Sequence, residues 1–321
     1  MQNNKFDEQI LLKVKDFAKN LGFDLFGITL PQLKKEDYEY LKEFINKKKY
    51  ANMHWFENYK EIRLHPSKIL ENCKSVIILG YFYKDQQYED IIKKSKIKIS
   101  RYAIGKDYHK ILKKKLKKIE EYLKQICKNI QTRITVDSAP VPEKLLAKNA
   151  GIGWQGKNTN IIHPEFGSYF FISCIFTDYE IPSNWKQENI TDHCKGCMLC
   201  IKHCPTGALE PYRLNVEKCI SYWTIESKMP VPEEIIRISK GWVFGCDICQ
   251  EVCPYNRRKI ALYKQTNEPD FYLRLEIKKI LNQLPEEKDW DNLKNSPLKR
   301  VSYYIFKENY KNTLNCEYSH V

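Results

Sequence analysis

The chain has 321 residues, 42% of them hydrophobic and 29% charged, which excludes a disordered polymer and leaves room for two ordinary domains with a sizeable core. Its formal charge of +14 favours a polyanionic partner, RNA or DNA, over an acidic small molecule, with a plain lysine-rich surface as the competing reading. Charged residues from Lys5 to Asp16 interrupt the first 23 positions, against a secretion signal, and the apolar runs are too short for a membrane span, so a cytoplasmic protein without membrane contact is expected.

Residues 6–22 carry Ile10, Leu11, Val14, Phe17, Ala18 and Leu21 at helical spacing. A strand is expected over Leu25–Thr29 and a second helix over 35–49. Residues 52–65 are mixed and hold Met53, Trp55, Phe56 and Arg63. Ser75–Phe82, rich in Val, Ile and Tyr, reads as a central strand. The clearest helix is 108–130, with an apolar stripe of Leu112, Leu116, Ile119, Leu123 and Ile126. Lys113, Lys114, Lys115, Lys117 and Lys118 lie mostly off that stripe. Residues 101–133 hold eleven Lys/Arg against three Asp/Glu, either a solvated face or part of a nucleic-acid footprint.

Residues 133–137 read as a strand ending in a turn, and Pro142 suits the first turn of another helix. The glycine-rich loop 151–157 fits neither the dinucleotide fingerprint nor a Walker pattern. Residues 159–163 and 169–177 read as a strand pair, with a hairpin across 164–167. Cysteines and tight turns take over near residue 191, and from about 259 Leu273, Ile277, Ile280, Leu281 and Leu284 restore a helical pattern. The fold class is therefore α+β: an N-terminal α/β domain (1–185), a cysteine-rich module (186–258) and a short helical C-terminal region (259–321).

Twelve cysteines without a secretion signal point to metal rather than disulfides. Cys194, Cys197, Cys200 and Cys204-Pro205 form C-x2-C-x2-C-x3-C-P, the run of two-cluster ferredoxins. Three close thiolates wrap one cubane, and the fourth points to a second. Gly196 leaves the backbone free to approach sulfide. Cys246, Cys249 and Cys253-Pro254 form a second run with three cysteines, and Cys219 supplies the eighth ligand. The crossover rule then assigns Cys194, Cys197, Cys200 and Cys253 to one [4Fe–4S] cluster and Cys204, Cys219, Cys246 and Cys249 to the other. Zinc also uses C-x2-C pairs, but has no use for an outward-pointing fourth cysteine. Cys73, Cys127, Cys174 and Cys316 are left as structural thiols.

Several segments together resemble the cobalamin-dependent epoxyqueuosine reductases of tRNA modification. They are Ile99-Ser-Arg-Tyr-Ala-Ile-Gly-Lys-Asp-Tyr-His109, Val136-Asp-Ser-Ala-Pro-Val-Pro-Glu-Lys144, Gly151-Ile-Gly-Trp-Gln-Gly-Lys-Asn-Thr159, Lys218-Cys-Ile-Ser-Tyr-Trp-Thr-Ile-Glu226 and Gly245-Cys-Asp-Ile-Cys-Gln-Glu-Val-Cys-Pro-Tyr-Asn256. The resemblance implies a monomer that reduces epoxyqueuosine in a tRNA anticodon loop. Electrons from an external donor would pass through the clusters to a base-off cobalamin. It implies Asp137 as the catalytic acid, where side-chain chemistry alone would suggest a cap. Around the corrinoid it implies Lys157, Asn158, Thr159 and Ser168, with Arg63, Arg101, Tyr102, Ser221, Cys246 and Asp247 as further contacts. Tyr222, Trp223, Thr224 and Glu226 are expected to approach the tRNA, and His109 and His203 to be surface or hydrogen-bonded residues. Alternatives are a corrinoid reductase of a small molecule, such as a dehalogenase, or an iron–sulfur electron carrier without cobalt.

Overall fold

The structure, a computed structural model, describes residues 4–186 and 188–316. The first helix, α1 (Glu8–Asn20), starts where the Asp7 carboxylate accepts the Gln9 N–H, and it buries Leu11, Val14 and Ala18. Then follow β1 (Leu25–Thr29), α2 (Lys35–Asn46) and β2 (Ser75–Phe82), whose eight residues are all buried. The long helix α3 (Tyr108–Ile126) buries Leu112, Leu116, Ile119 and Leu123, the core of the expected stripe. It stops short of residue 130 because Cys127 is extended and Asn129 takes φ 57°, turning the chain so that Cys127 and Ile130 enter the core. β3 (Thr132–Thr135), α4 (Glu143–Asn149) and β4 (Phe170–Thr177) complete this half.

The four strands form one antiparallel sheet in the order β1-β2-β4-β3. β2 is central, as its unbroken apolar sequence predicts. One expectation fails. Residues 159–163 do not pair with 169–177, because β4 already spends one edge on β2 and the other on β3. Ile161–Ile162 pairs with Trp154–Gln155 instead, and only an isolated bridge joins His163 to Gly167. One face of the sheet packs on α1 and α3 and the other on α4.

A separate core joins Tyr88 to Ile104, Ile220 to Ile248 and Leu273 to Tyr310. Within it Trp242–Phe244 runs parallel to Lys98–Ile99, and the helices Leu275–Ile280 and Tyr303–Asn315 cover the outside. This core crosses both expected domain boundaries, so the cysteine module is cemented to a segment of the α/β half and to the C-terminal helices alike. Among the described residues no helix is long and apolar enough to cross a membrane.

Candidate functional site

All twelve cysteines are free. Burial and the neighbouring Cys194, Cys253 and Cys197 push the Cys200 thiol up to about 11. Burial, then Cys219, Asp247, Cys200 and Cys204, raises Cys249; burial, Cys249, Cys219 and Asp247 raise Cys246. Cys194, Cys197, Cys200 and Cys253 are thus close enough to act on one another, as are Cys204, Cys219, Cys246 and Cys249, with Cys200 also near Cys249. Crowded buried thiolates repel one another and favour the protonated form, which cationic iron would reverse. Cys204, Cys219, Cys246 and Cys249 ring one cavity of about 250 Å³. Among the described residues no three His, Cys, Asp or Glu side chains converge closely enough for a single ion. A ring around a cavity fits a cubane better than a tetrahedral zinc. Cys127 and Cys174 are buried away from both sets, and Cys73 and Cys316 are half-buried.

Backbone and side-chain clamps hold the two cysteine loops. The buried Lys157 ammonium donates to the carbonyls of Lys195 (2.5 Å) and Cys197 (3.0 Å). The Trp154 indole N–H reaches Cys194 Sγ at 3.5 Å. Asn158 Nδ2 donates to the Cys249 carbonyl at 3.2 Å. The glycine-rich stretch therefore grips both loops, and its lysine is spent on the first of them. At the second loop Gly245 has φ 69°, and a Cβ there would lie 2.1 Å from Ser100 Oγ, so only glycine fits.

The same cavity is lined by Tyr102, Asn158, Thr159, Ser221, Cys246 and Asp247 among the expected cofactor residues, and by Lys144, which the motifs did not single out as a contact. Four others stand elsewhere. Arg101 is buried and pairs with Glu89 (2.5 Å), Glu251 (2.8 Å) and Asp247 (3.1 Å), and its own N–H donates to Asp247 Oδ2 at 2.9 Å. It acts on the cavity through Asp247. Ser168 is locked by Asn256 and Gln250: its N–H donates to Asn256 Oδ1 at 2.7 Å and its hydroxyl to Gln250 Oε1 at 2.8 Å. Lys157 is the clamp just described. Arg63 lies over the rings of Phe56 (4.4 Å) and Trp55 (5.4 Å), and its Nε has no hydrogen-bond partner. A larger open cavity of about 760 Å³, between Lys34, Trp154 and Tyr212, carries none of the expected site residues.

Asp137 sits just past β3 with φ 49° and a side chain 57% exposed. Its N–H donates to Glu143 Oε1 at 2.8 Å, and its Oδ2 accepts the Tyr108 hydroxyl. His109 Nε2 stands 3.9 Å from the same oxygen. Burial and the nearby Asp137 raise the Glu143 carboxyl to about 8. Arg300, paired with Glu226 at 2.7 Å, lies close enough for the Asp137 charge to act on it. Tyr108 and Arg300 are distant from Asp137 in the chain and no spacing points to them, whereas Glu143 lies six residues on in the same segment and is brought to Asp137 by the turn into α4.

Of the four residues expected at the tRNA, Tyr222 and Thr224 are buried and internally bonded, the first to the Asn52 N–H at 3.2 Å and the second to the Ile220 carbonyl at 2.8 Å. Their side chains are therefore not presented to a ligand, whereas Trp223 and Glu226 are half-exposed. On α3, Lys115 pairs with Glu268 at 2.8 Å, while Lys114, Lys117 and Lys118 face solvent.

Fold and cysteine loops together define a two-cluster iron–sulfur oxidoreductase. The chain matches the family model described as epoxyqueuosine reductase QueG over residues 63–138 and that of the 4Fe-4S double cluster binding domain over residues 193–256. An epoxyqueuosine reductase from Leadbetterella byssophila is 38% identical over 281 residues, 88% of this chain and 87% of its own length. The crystal structure of an epoxyqueuosine reductase with an epoxyqueuosine-modified tRNA-Tyr stem loop superposes with a TM-score of 0.77 at 27% identity, covering 95% of this chain and 80% of that one. An epoxyqueuosine reductase from Bacillus subtilis, solved with its catalytic aspartate loop swung out of the active site, gives 0.74 at 25% identity over 95% of this chain and 80% of that one. The chain belongs to the epoxyqueuosine reductase family and is an oxidoreductase.

Proposed function

We propose that the chain reduces epoxyqueuosine to queuosine in the anticodon loop of a tRNA. When bound, two [4Fe–4S] clusters carry single electrons to a base-off cobalamin, whose cobalt supplies the reducing power to take the epoxide oxygen away. The observation that carries this reading is the shared cavity, where one cysteine set meets Tyr102, Asn158, Thr159, Ser221 and Asp247. Cys194, Cys197, Cys200 and Cys253 would hold the outer cluster, and Cys204, Cys219, Cys246 and Cys249 the one beside the corrinoid. Asp137, exposed and close enough to the cavity-lining Lys144 for its charge to act there, donates the proton that the departing oxygen needs, and Tyr108 and Glu143 fix its loop. Exposed lysines of α3 meet phosphates. Trp223, Glu226 and Trp55 offer aromatic and polar surface to a splayed base. Family membership sets aside the small-molecule reductase and the cobalt-free carrier. The protein works in the cytoplasm as a monomer with an external one-electron donor.

The test is anaerobic incubation of the reconstituted protein with cobalamin, reductant and epoxyqueuosine-containing tRNA, followed by mass spectrometry of the nucleosides. Queuosine is expected. Its absence, with both clusters and cobalt loaded, would refute the proposal.

A further inference from the structure

Removal of an epoxide oxygen as water consumes two electrons and two protons: both C–O bonds break, a C=C bond forms, and the oxygen leaves with two hydrogens. Asp137 can hold only one proton at a time. In the free protein its half-open side chain could take another from solvent. Once an anticodon loop fills the cleft over it, that route narrows, so a second donor that reaches it from the protein side becomes valuable.

We propose that His109, oriented by Asp107, delivers the second proton to Asp137 within each turnover. This rests on the functional reading above. The Asp107 carboxylate caps α3 by accepting the His109 N–H at 3.0 Å, and it also contacts His109 Nδ1 at 2.7 Å. A carboxylate only accepts, so Nδ1 is the protonated nitrogen of the neutral ring. Nε2 is left to gain or release a proton, and it faces Asp137 Oδ2 across 3.9 Å. Such gaps close when the substrate-bound geometry forms. The imidazole is held in place by its ring stack on Tyr108 (4.1 Å), which itself stacks on Phe171 (4.0 Å). The side chain is 24% exposed, so it can be recharged from water at its outer edge while its other side serves the cleft. The imidazolium proton moves from Nε2 to the Asp137 carboxylate, and the neutral ring takes a replacement from solvent. His109 is thus a positioning and relay residue acting through Asp137.

The charged and titratable groups around the pair are Asp107, Tyr108 and Lys110 on the side of the ring and, around Asp137, Tyr108, Glu143, Lys144 and, from the C-terminal segment, Arg300. The experiment compares wild-type, His109→Gln and His109→Ala holoenzymes on epoxyqueuosine-containing tRNA across pH. Both variants are expected to lose about 10- to 100-fold in kcat, the lower end of general-acid contributions, with KM for tRNA unchanged. They should also lose the limb of the pH profile that the imidazole contributes. Added imidazole should restore His109→Ala and leave His109→Gln, whose side chain fills the site, unrescued. In the protein without tRNA, nitrogen NMR of labelled histidine should show the His109 ring protonated on Nδ1. A His109→Gln enzyme with the wild-type kcat and pH profile, or a ring protonated on Nε2 alone, would overturn the proposal. Failure of wild-type protein to form queuosine would instead strike at the functional reading.

Discussion

Asp137 stands in the left-handed region of backbone space, which a short polar side chain tolerates better than a branched or bulky one. Its N–H is tied to Glu143 and its carboxylate to Tyr108, so the loop is fixed by groups from two different helices. Asp137→Asn keeps size and bonding but has no proton to give. Turnover should fall by about 100-fold or more with thermal stability unchanged, as single-turnover kinetics and melting curves would show. Glu143 makes a pH prediction. Its carboxyl rises from the usual 4.5 to about 8 through burial and the Asp137 charge, so the folded chain binds this proton more tightly than the unfolded chain. The stabilisation is complete below about pH 4.5 and is lost as pH rises through about 8. The melting temperature of the wild type, relative to Glu143→Gln at the same pH, should therefore decline between pH 5 and pH 9. A flat difference would show that the carboxyl titrates alike in both states.

At the scale of elements, the glycine-rich stretch is a clamp. Lys157 and Trp154 grip the first cysteine loop and Asn158 the second, which couples the order of one loop to that of the other. Gly167, at φ 73°, permits the neighbouring contact, because a Cβ there would lie 1.9 Å from Asn256 Oδ1. Lys157→Met should leave the Lys195 and Cys197 carbonyls without their donor and lower retained iron, while Cys219→Ser should leave roughly four irons where the wild type holds roughly eight. Iron and sulfide analysis of anaerobically reconstituted protein reads both. The helix α3 serves the core with one face and, through Lys114, Lys117 and Lys118, the solvent with another. Changing these three to Glu should weaken tRNA binding and flatten its salt dependence, by roughly 0.7 in the log–log slope for each phosphate that is no longer neutralised.

At the scale of the whole molecule, Arg101 adds a buried ionic tie to the apolar core that joins the modules. It links the segment before α3 to the second cysteine loop through Asp247 and Glu251, and to Glu89. Burial raises the Asp247 carboxyl, and the Arg101 guanidinium beside it opposes that rise. Arg101→Met would strand Asp247 in the interior, at a cost of about 3–5 kcal/mol. Denaturant unfolding should show the loss, and the double variant Arg101→Met/Asp247→Leu should recover part of it, since removing both charges is cheaper than stranding one.

The sequence by itself determined what depends on short-range spacing. Cys194 to Pro205 and Cys246 to Pro254 spell out the cluster loops, because a few intervening residues fix how closely thiolates can gather. The apolar period of α3 and the unbroken run of β2 gave those elements, since burying one stripe or both faces leaves a periodic trace. Only the tertiary structure decided which partner each element takes. It gave both edges of β4 to β2 and β3, leaving residues 159–163 to pair elsewhere. It buried Tyr222 and Thr224, and it spent Arg101 and Lys157 on internal partners. It also carried Tyr108, His109 and Arg300 to Asp137. Contacts between residues far apart in the chain come from packing whole faces together, and that packing leaves no periodic mark at any one of the positions it joins.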